Sequence, residues 1–348
     1  MRSGQFKEDT AALIVLNDSV PVWVWSAILV IVLAVAPYLL NAYALSFLVL
    51  ILIIATGALG LHLLTGCTGL ISLGHVGFLL LGAYAYAVPV AKFGLSPLVG
   101  FALAGIVPGL MSILVGIPSL RLKGLYLAIT TLAFSFIISH LVLQMSWLTN
   151  GARGIQVPRP ELLGISFDND ARFAHLCLLV AIITLFGVLN IERSRVGRAL
   201  MAVRDNDIAA RTMGINLQAY KLRAFMTSAF VSGIAGALFG MYLSFVSVEG
   251  FPFLMSIEAL AILIVGGLGS TLGVVLGTVF IVLLPEVGRT ALSLLGEHAA
   301  TLFSTGANEL RSVLYGAAII LFLRFEPRGL VGLWNDVKRL WVNWPLRF

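Results

Sequence analysis

The sequence has few charged residues. Asp, Glu, Lys and Arg make up 11% of its 348 residues, whereas 59% of the residues are hydrophobic. Soluble domains carry about 25% charged residues. This shortage of charge excludes an ordinary soluble enzyme or nucleic-acid-binding domain, and the composition predicts an all-α polytopic integral membrane protein.

Cysteine is also scarce, with Cys67 and Cys177 as the only two. They lie in unrelated segments, and their spacing matches neither a disulfide framework nor a zinc motif. We therefore predict packing roles for both cysteines, and neither a metal site nor a cofactor.

A P-loop is missing from the sequence. That motif places a glycine directly before its lysine so that backbone amides can hold phosphate. None of the five lysines follows a glycine. The sequence also offers no cluster of His, Cys, Asp and Glu typical of catalysis, so we do not expect an enzyme. If ATP drives the protein, a separate chain hydrolyses it.

Long apolar runs dominate what is present. A bilayer span needs about 20 apolar residues. About ten runs approach or reach this length, two of them short and interrupted by glycine. They lie near residues 22–40, 44–64, 70–90, 97–117, 125–145, 173–190, 224–246, 257–268, 272–284 and 310–323. The polar first residues do not resemble a cleaved signal peptide, so we expect the first span to be retained.

The distribution of basic residues predicts an orientation. A cytoplasmic N-terminus places most of the 22 Lys and Arg inside, which explains the net charge of +6 by the positive-inside rule. Both termini are then cytoplasmic, and residues 1–348 form a single transmembrane domain. Residues 146–172 become the main outer loop, 191–223 the main cytoplasmic loop and 325–348 a cytoplasmic tail.

Two apolar stretches are interrupted by glycine, TGLISLGHVGF at 68–78 and VGGLGSTLGVVLG at 265–277. Glycine permits irregular backbone and close helix contact, and paired breaks in membrane helices point to a translocation path. The predicted path residues are Gly66, Gly69, Ser72, Gly74, His75, Gly266, Gly267 and Gly269. The alternative is tight helix packing alone, with His75 as a hydrogen-bonded core histidine.

Glu258 is the one carboxylate within the predicted spans. It follows Ser256 at the start of a span, so we interpret it as a helix N-terminal residue, with Ser256 as the cap, and not as a proton carrier.

The cytoplasmic loop contains a predicted short helix from Ala199 to Met213 that ends at Gly214. Its candidate apolar contacts are Leu200, Val203, Ile208 and Met213. Such a helix in a charged loop is suited to docking a soluble partner. The alternative is an ordinary basic loop that touches lipid headgroups.

Several segments in consistent order resemble one family. They are GLHLLTGCTGLISLGHVGFLLLGAY (60–84), GLYLAITTLAFSFI (124–137), LTNGARGI (148–155), the cytoplasmic loop, SIEALAILIVGGLGSTLGVVLG (256–277) and FEPRGLVGL (325–333). Together they resemble the permease subunits of branched-chain amino acid ABC importers, LivM type.

The resemblance implies a multi-pass protein of the bacterial inner membrane. It implies four kinds of partner: a second related permease, two cytoplasmic ATP-binding subunits, an extracytoplasmic solute-binding protein and membrane lipid, but no nucleic acid. It assigns ATPase coupling to Arg198, Asp205, Asp207, Ala209, Ala210, Gly214 and Lys221. It places Thr149, Gly151 and Gly154 on the binding-protein side.

Two positions depart from the family pattern. His62 stands where members often have Asn, and Leu70 where they often have Gln. If either residue lines the path, the cargo could be urea, a short amide or an aromatic acid. Two other classes stay open: an ATP-independent transporter or channel, which would be active alone, and a membrane-embedded enzyme or structural anchor.

Overall fold

A computed structural model describes residues 20–119, 122, 124–162, 165–293 and 307–343. The predicted polar N-terminal segment and the last residues of the predicted tail lie outside the described residues. The helices are α1 (Val20–Leu39), α2 (Ala42–Leu61), α3 (His75–Ala87), α4 (Pro97–Ser119), α5 (Leu125–Gln144), α6 (Ser146–Thr149), α7 (Asp170–Arg193), α8 (Arg195–Asp205), α9 (Asp207–Thr212), α10 (Leu217–Leu243), α11 (Leu254–Gly266), α12 (Thr271–Ser293), α13 (Ala307–Phe325) and α14 (Gly329–Asn343). Four two-residue strands are β1 (Ile155–Gln156), β2 (Glu161–Leu162), β3 (Ile165–Ser166) and β4 (Phe245–Val246).

The architecture confirms the predicted all-α polytopic class. Eight helical segments among the described residues are long and apolar enough to cross a membrane, and Val24–Leu39 and Ser312–Phe325 are shorter apolar helices. Residues 191–223 lie where α7 ends and α10 begins, and we call this side of the bundle the loop end. Because α2 runs toward it and α12 starts from it, residues early in α2 and late in α12 lie in the opposite half.

Three predicted spans differ from the structure by five residues or more. The span predicted to begin at residue 224 begins at Leu217. The span predicted at 70–90 becomes helical only at His75, because the backbone before it is irregular and Gly69 has a φ of +71°. The span predicted to stop at residue 284 continues through Pro285 to Ser293. Glu286 and Arg289 therefore lie on a helix.

Helix α10 lies at the centre and packs against α2, α3 and α4. Glycines make these crossings close. A Cβ on Gly82 would lie 2.1 Å from the carbonyl oxygen of Gly233, and one on Gly236 would lie 2.0 Å from that of Leu79. Small residues in membrane helices allow backbones to approach in this way. Tight packing thus explains some of the glycines.

Substituting Gly236 by Ala should therefore disrupt folding, because backbone atoms leave no room for the methyl group. We expect a large loss of monodisperse protein after detergent extraction, measured by size-exclusion chromatography. Gly187→Ala is the matched control, since a Cβ there meets nothing within 4 Å. Equal yields of the two variants would contradict this packing.

The segment between α6 and α7 is attached to the end of α10. Strand β1 pairs antiparallel with β4, with Ile155 opposite Val246. Strands β2 and β3 form a second antiparallel pair. The described residues of the predicted outer loop thus take part in two short strand pairs on the side opposite the loop end.

Candidate functional site

The two glycine-rich breaks meet at the loop end around Arg204 of α8. The Nη1 atom of Arg204 donates a hydrogen bond of 3.0 Å to the carbonyl oxygen of Gly66. A Cβ on Gly269 would lie 2.5 Å from the same Nη1 atom, and one on Gly69 would lie 3.0 Å from Cγ of Arg204. The side chain of Arg204 therefore joins the predicted coupling loop to both breaks, and we call this contact the arginine joint.

The glycines of the joint are required by conformation as well as by space. Gly69 and Gly269 have φ values of +71° and +85°, which L side chains rarely adopt. Arg204 also pairs with Asp205, with Nε 3.1 Å from Oδ1. The guanidinium is thus held between its own helix and the end of α2.

A polar cluster lies beside the joint and contains His62, Cys67, Glu192 and Thr271. The Nε2 atom of His62 lies 2.7 Å from Oε1 of Glu192, and Thr271 donates a 2.7 Å hydrogen bond to the same oxygen. Cys67 lies 3.7 Å from that oxygen through Sγ. Glu192 therefore connects the end of α2, the end of α7 and the start of α12.

His62 belongs to this cluster because helix α2 ends in a wider π-helical turn, His62–Gly66. Such turns are rare and often mark functional positions. The ring of His62 is fully buried, and Leu70 is 8% exposed in an apolar cluster. Both departures from the family pattern therefore lie in the packed interior.

The rest of the first break packs against α5, α10 and α11. A Cβ on Gly74 would lie 2.7 Å from the carbonyl oxygen of Thr131. Ser72 is buried and accepts a hydrogen bond from the backbone N–H of Gly74. These contacts fix where α3 begins.

Ser256 has a different role from the predicted one. Helix α11 begins at Leu254, so Ser256 lies inside the helix and is not its cap. Its hydroxyl accepts a 3.0 Å hydrogen bond from the backbone N–H of Val76. Ser256 therefore satisfies the open first turn of α3, and it joins the two broken segments in the interior.

The second break is packed differently. A Cβ on Gly266 would lie 2.1 Å from the carbonyl oxygen of Gly273, so α11 and α12 touch through glycine. Gly267 has a φ of +115° and faces the carbonyl oxygen of Arg328, just before α14. Gly266 and Gly267 thus form a helix crossing, whereas Gly269 reaches the arginine joint.

A cavity of about 640 Å³ lies between α2, α10, α11, α12 and α13, in the half away from the loop end. This volume is within the usual range of small-molecule sites, about 300–1,000 Å³. Most of its wall is apolar and includes Phe47, Leu50, Ile54, Met255 and Val282. Its ionisable residues are Tyr242, Glu258, Glu286, Arg289 and Tyr315.

The charged residues of the cavity form two groups. Arg289 contacts Glu286 at 2.6 Å and donates to the hydroxyl of Tyr43 at 3.0 Å. Tyr315 donates a 3.3 Å hydrogen bond to Glu258. Glu258 is the one carboxylate within the predicted spans, but the extension of α12 brings Glu286 and Arg289 to the same cavity.

His75 lines a neighbouring cavity that shares Glu258 with the large one. This second, small cavity of about 30 Å³ is lined by Gly57, His75 and Glu258, among others. Nδ1 of His75 lies 3.2 Å from Oγ of Ser232, so the ring also has a hydrogen-bond partner in the core. Glu258 lines both cavities, and His75, which belongs to the first break, lines the smaller one. Glu258 therefore lies between the large cavity and the first break.

The predicted helix of the cytoplasmic loop is two helices, because the chain bends at Asn206, whose side chain caps α9. Leu200 and Val203 are buried as predicted, but Ile208 and Met213 are 72% and 83% exposed. These two side chains do not pack on the bundle. Each is an exposed apolar side chain in a charged loop.

The predicted coupling residues are divided between surface and interior. Arg198, Asp205 and Ala209 are exposed, Asp207 is partly exposed, and Ala210 and Lys221 are buried. Gly214 has a φ of +82°, as expected of a helix stop.

The three residues predicted for the binding-protein side build a turn. Thr149 is buried and donates to the carbonyl oxygen of Val142 at 2.6 Å. Gly151 and Gly154 have φ values of +59° and +65° and are buried. They shape this surface, which is formed by exposed neighbours such as Arg153.

Sequence reasoning did not select Arg204, Glu192 or the ionisable residues of α12. Arg204 is one of many basic residues in its loop, so no pattern distinguished it. Glu192 could have been selected from the sequence, because it is an acidic residue two positions after the end of the span predicted at 173–190.

Comparison with known proteins identifies a family for most of the chain. Residues 43–323 match the profile of the branched-chain amino acid transport system/permease component. The high-affinity branched-chain amino acid transport system permease protein LivM of Escherichia coli K12 is 33% identical, over 89% of this chain and 75% of that protein. A probable branched-chain amino acid transport permease protein LivH of Methanocaldococcus jannaschii is 26% identical, over 81% and 90%.

A third relative is the inner membrane ABC transporter permease protein YjfF of E. coli K12, 25% identical over 71% of this chain and 72% of that protein. No solved structure matches this chain.

Proposed function

The chain belongs to the permease components of branched-chain amino acid transport systems, and from that premise we propose that it carries a branched-chain amino acid through the 640 Å³ cavity toward the arginine joint. It is a multi-pass permease subunit of a binding-protein-dependent importer. The bacterial inner membrane is the location we propose, with the loop end in the cytoplasm.

The composition of the cavity is the observation that supports this cargo. A free amino acid carries an ammonium and a carboxylate, and a branched-chain one adds an apolar side chain. Arg289 is suited to a carboxylate and Glu258 to an ammonium. Leu50, Ile54 and Met255 supply apolar surface. Urea and short amides carry neither the two charges nor the apolar side chain that these residues would bind. The cavity therefore favours the amino acid over urea and short amides.

The test of this cargo is uptake by the complete importer in proteoliposomes. We expect radiolabelled leucine to accumulate, and unlabelled isoleucine and valine to compete with it. Accumulation of urea or a short amide, with no uptake of leucine, would assign the same importer class to another cargo.

The route from the cavity follows the packing. Glu258 lines both cavities, and His75 lines the cavity of about 30 Å³. Helix α3 begins at His75, within the first glycine break. We infer that Gly66, Gly69, Ser72, Gly74 and His75 on one side, and Gly266, Gly267 and Gly269 on the other, change their packing when the path opens. The arginine joint links that change to α8.

Coupling then requires partners at the loop end. We infer that the importer contains two cytoplasmic ATP-binding subunits, and that α8 and α9 of this chain dock on the ATPase. A second related permease completes the pore, and a solute-binding protein delivers cargo on the side of residues 146–172. The exposed Ile208 and Met213, set among Asp205, Asp207 and Arg211, supply an apolar contact with a charged rim.

Replacing Ile208 by Asp should weaken this docking. A charge in the centre of an apolar contact is costly to bury, so we expect the ATP-binding subunits to copurify at least about tenfold less well. The measurement is quantitative mass spectrometry of the purified complex. Ile208→Leu keeps the apolar surface and should retain them. Full retention by Ile208→Asp would exclude Ile208 from the interface.

A further inference from the structure

Three side chains of the polar cluster carry the atom types that bind transition metals. They are the imidazole of His62, the thiol of Cys67 and the carboxylate of Glu192. In an ordinary α-helix, residues five apart point about 140° away from each other. The π-helical turn changes this, because the backbone N–H of Cys67 bonds to the carbonyl oxygen of His62. His62 and Cys67 are thereby brought to the same side, where Glu192 meets them.

The distances between the three atoms fit a metal ion. Nε2 of His62 lies 2.7 Å from Oε1 of Glu192, and Sγ of Cys67 lies 3.7 Å from that oxygen and 3.8 Å from Nε2. A triangle with these sides has a circumscribed radius of about 2.0 Å. Zinc bonds are about 2.0–2.2 Å to nitrogen and oxygen and about 2.3 Å to sulfur. Two ligands of a tetrahedral zinc ion with bonds of this length lie about 3.3 Å apart. Binding therefore requires Nε2 of His62 and Oε1 of Glu192 to separate from 2.7 Å, as well as a slight movement of the thiol.

We propose that His62, Cys67 and Glu192 form a binding site for a transition-metal ion of the Zn²⁺ class. Imidazole and thiolate ligands favour Zn²⁺ over Mg²⁺ or Ca²⁺. When the ion binds, the thiol releases its proton to solvent. The proton between Nε2 of His62 and Glu192 leaves that hydrogen bond, either by transfer to Nδ1 or by release to solvent. Thr271, which already bonds to Glu192 at 2.7 Å, lies where it or a water molecule supplies a fourth ligand.

The effect of a bound ion on transport can be inferred from the positions of its three ligands. This effect rests on the proposed function. His62 begins the π-helical turn that follows α2, Cys67 comes directly after that turn, and Glu192 lies at the end of α7. A bound ion holds these segments in the present arrangement, next to the arginine joint. Zinc should therefore inhibit transport by preventing the breaks from repacking.

The binding test is independent of transport. The permease is purified in its complex, and the affinity for Zn²⁺ is measured by equilibrium dialysis with elemental analysis. We expect one ion per chain in the wild type and in Cys177→Ser, whose buried cysteine lies away from the site. Cys67→Ser should lose at least about tenfold in affinity, and so should His62→Asn.

Co²⁺ as a probe reports the ligand directly. A thiolate-to-cobalt charge-transfer band is expected in the wild type and in Cys177→Ser, and not in Cys67→Ser. Equal affinity in the wild type and Cys67→Ser, or a wild type that binds no ion, would overturn the site. Cys67→Ser that elutes as a monodisperse complex excludes misfolding as the reason for the loss.

Inhibition of uptake then tests the consequence. Zn²⁺ should lower leucine uptake in the wild type and in Cys177→Ser but not in Cys67→Ser, each compared with its own rate in a chelator. Stoichiometric binding without inhibition would overturn the effect on transport and leave the site itself intact. Absence of leucine uptake in every variant would count against the proposed cargo and not against the metal site.

Discussion

Arg204→Ala should reduce ATP-dependent uptake at least about tenfold while the permease still inserts and assembles. The substitution removes the 3.0 Å hydrogen bond to Gly66 and the contacts with Gly69 and Gly269. A tenfold loss corresponds to about 1.4 kcal/mol in the rate-limiting barrier, which is comparable to one hydrogen bond to a charged group, about 1.5–3 kcal/mol. The measurement is leucine uptake by the reconstituted importer, normalised to assembled complex.

Arg195→Ala is the control for the loss of charge. Arg195 lies on the same helix and is exposed, and no contact with a glycine break involves it. Uptake by this variant should stay close to that of the wild type. A similar fall in both variants would mean that the charge of the loop matters and that the arginine joint does not.

The arginine joint can also be disturbed by a substitution in the second glycine break. In Gly269→Ala the new methyl group displaces the Arg204 guanidinium, since its nearest neighbour is Nη1 at 2.5 Å. Gly94→Ala imposes a similar backbone strain at a φ of +63°, but in open space. We expect the first variant to lose transport and the second to keep it. Equal losses would show that backbone strain alone explains the effect.

Glu258→Gln should produce the second large effect, a loss of leucine uptake of about tenfold or more. The substitution keeps the shape of the side chain and its hydrogen bond from Tyr315, but it removes the charge between the two cavities. An ammonium group that passes this point loses its partner. Uptake rates measured against leucine concentration give the maximal rate and KM for each variant.

Glu249→Gln is the matched control. Glu249 is an exposed carboxylate near the same end of the bundle, and it does not line the large cavity. Its neutralisation should leave uptake unchanged. Unchanged transport in Glu258→Gln would remove this residue from the path and weaken the assignment of a zwitterionic cargo.

The sequence predicted the helical class well, because apolar run length is a direct consequence of bilayer thickness. It also identified both glycine breaks, since glycine in an apolar run is informative in itself. The predicted end of α12, at residue 284, was wrong, because Pro285 and the charged Glu286 and Arg289 are typical of a loop. A membrane helix tolerates a proline when the surrounding structure satisfies the freed backbone.

The polar contacts between distant segments were beyond the sequence. Ser256 bonds to Val76, and Arg204 bonds to Gly66, across 180 and 138 positions. Such pairs depend on how the helices cross, which no local pattern encodes. The two cysteines were compared only with each other, so the combination of Cys67 with His62 and Glu192 was overlooked.

The central claim is that this permease moves cargo only as part of an ATP-driven assembly. The most direct measurement purifies the tagged chain from its host in mild detergent, identifies the copurifying proteins, and assays leucine uptake in liposomes with and without ATP. We predict two P-loop ATPases, a second permease and a solute-binding protein, and uptake that requires ATP. Recovery of this chain alone, transporting leucine without ATP, would contradict the account.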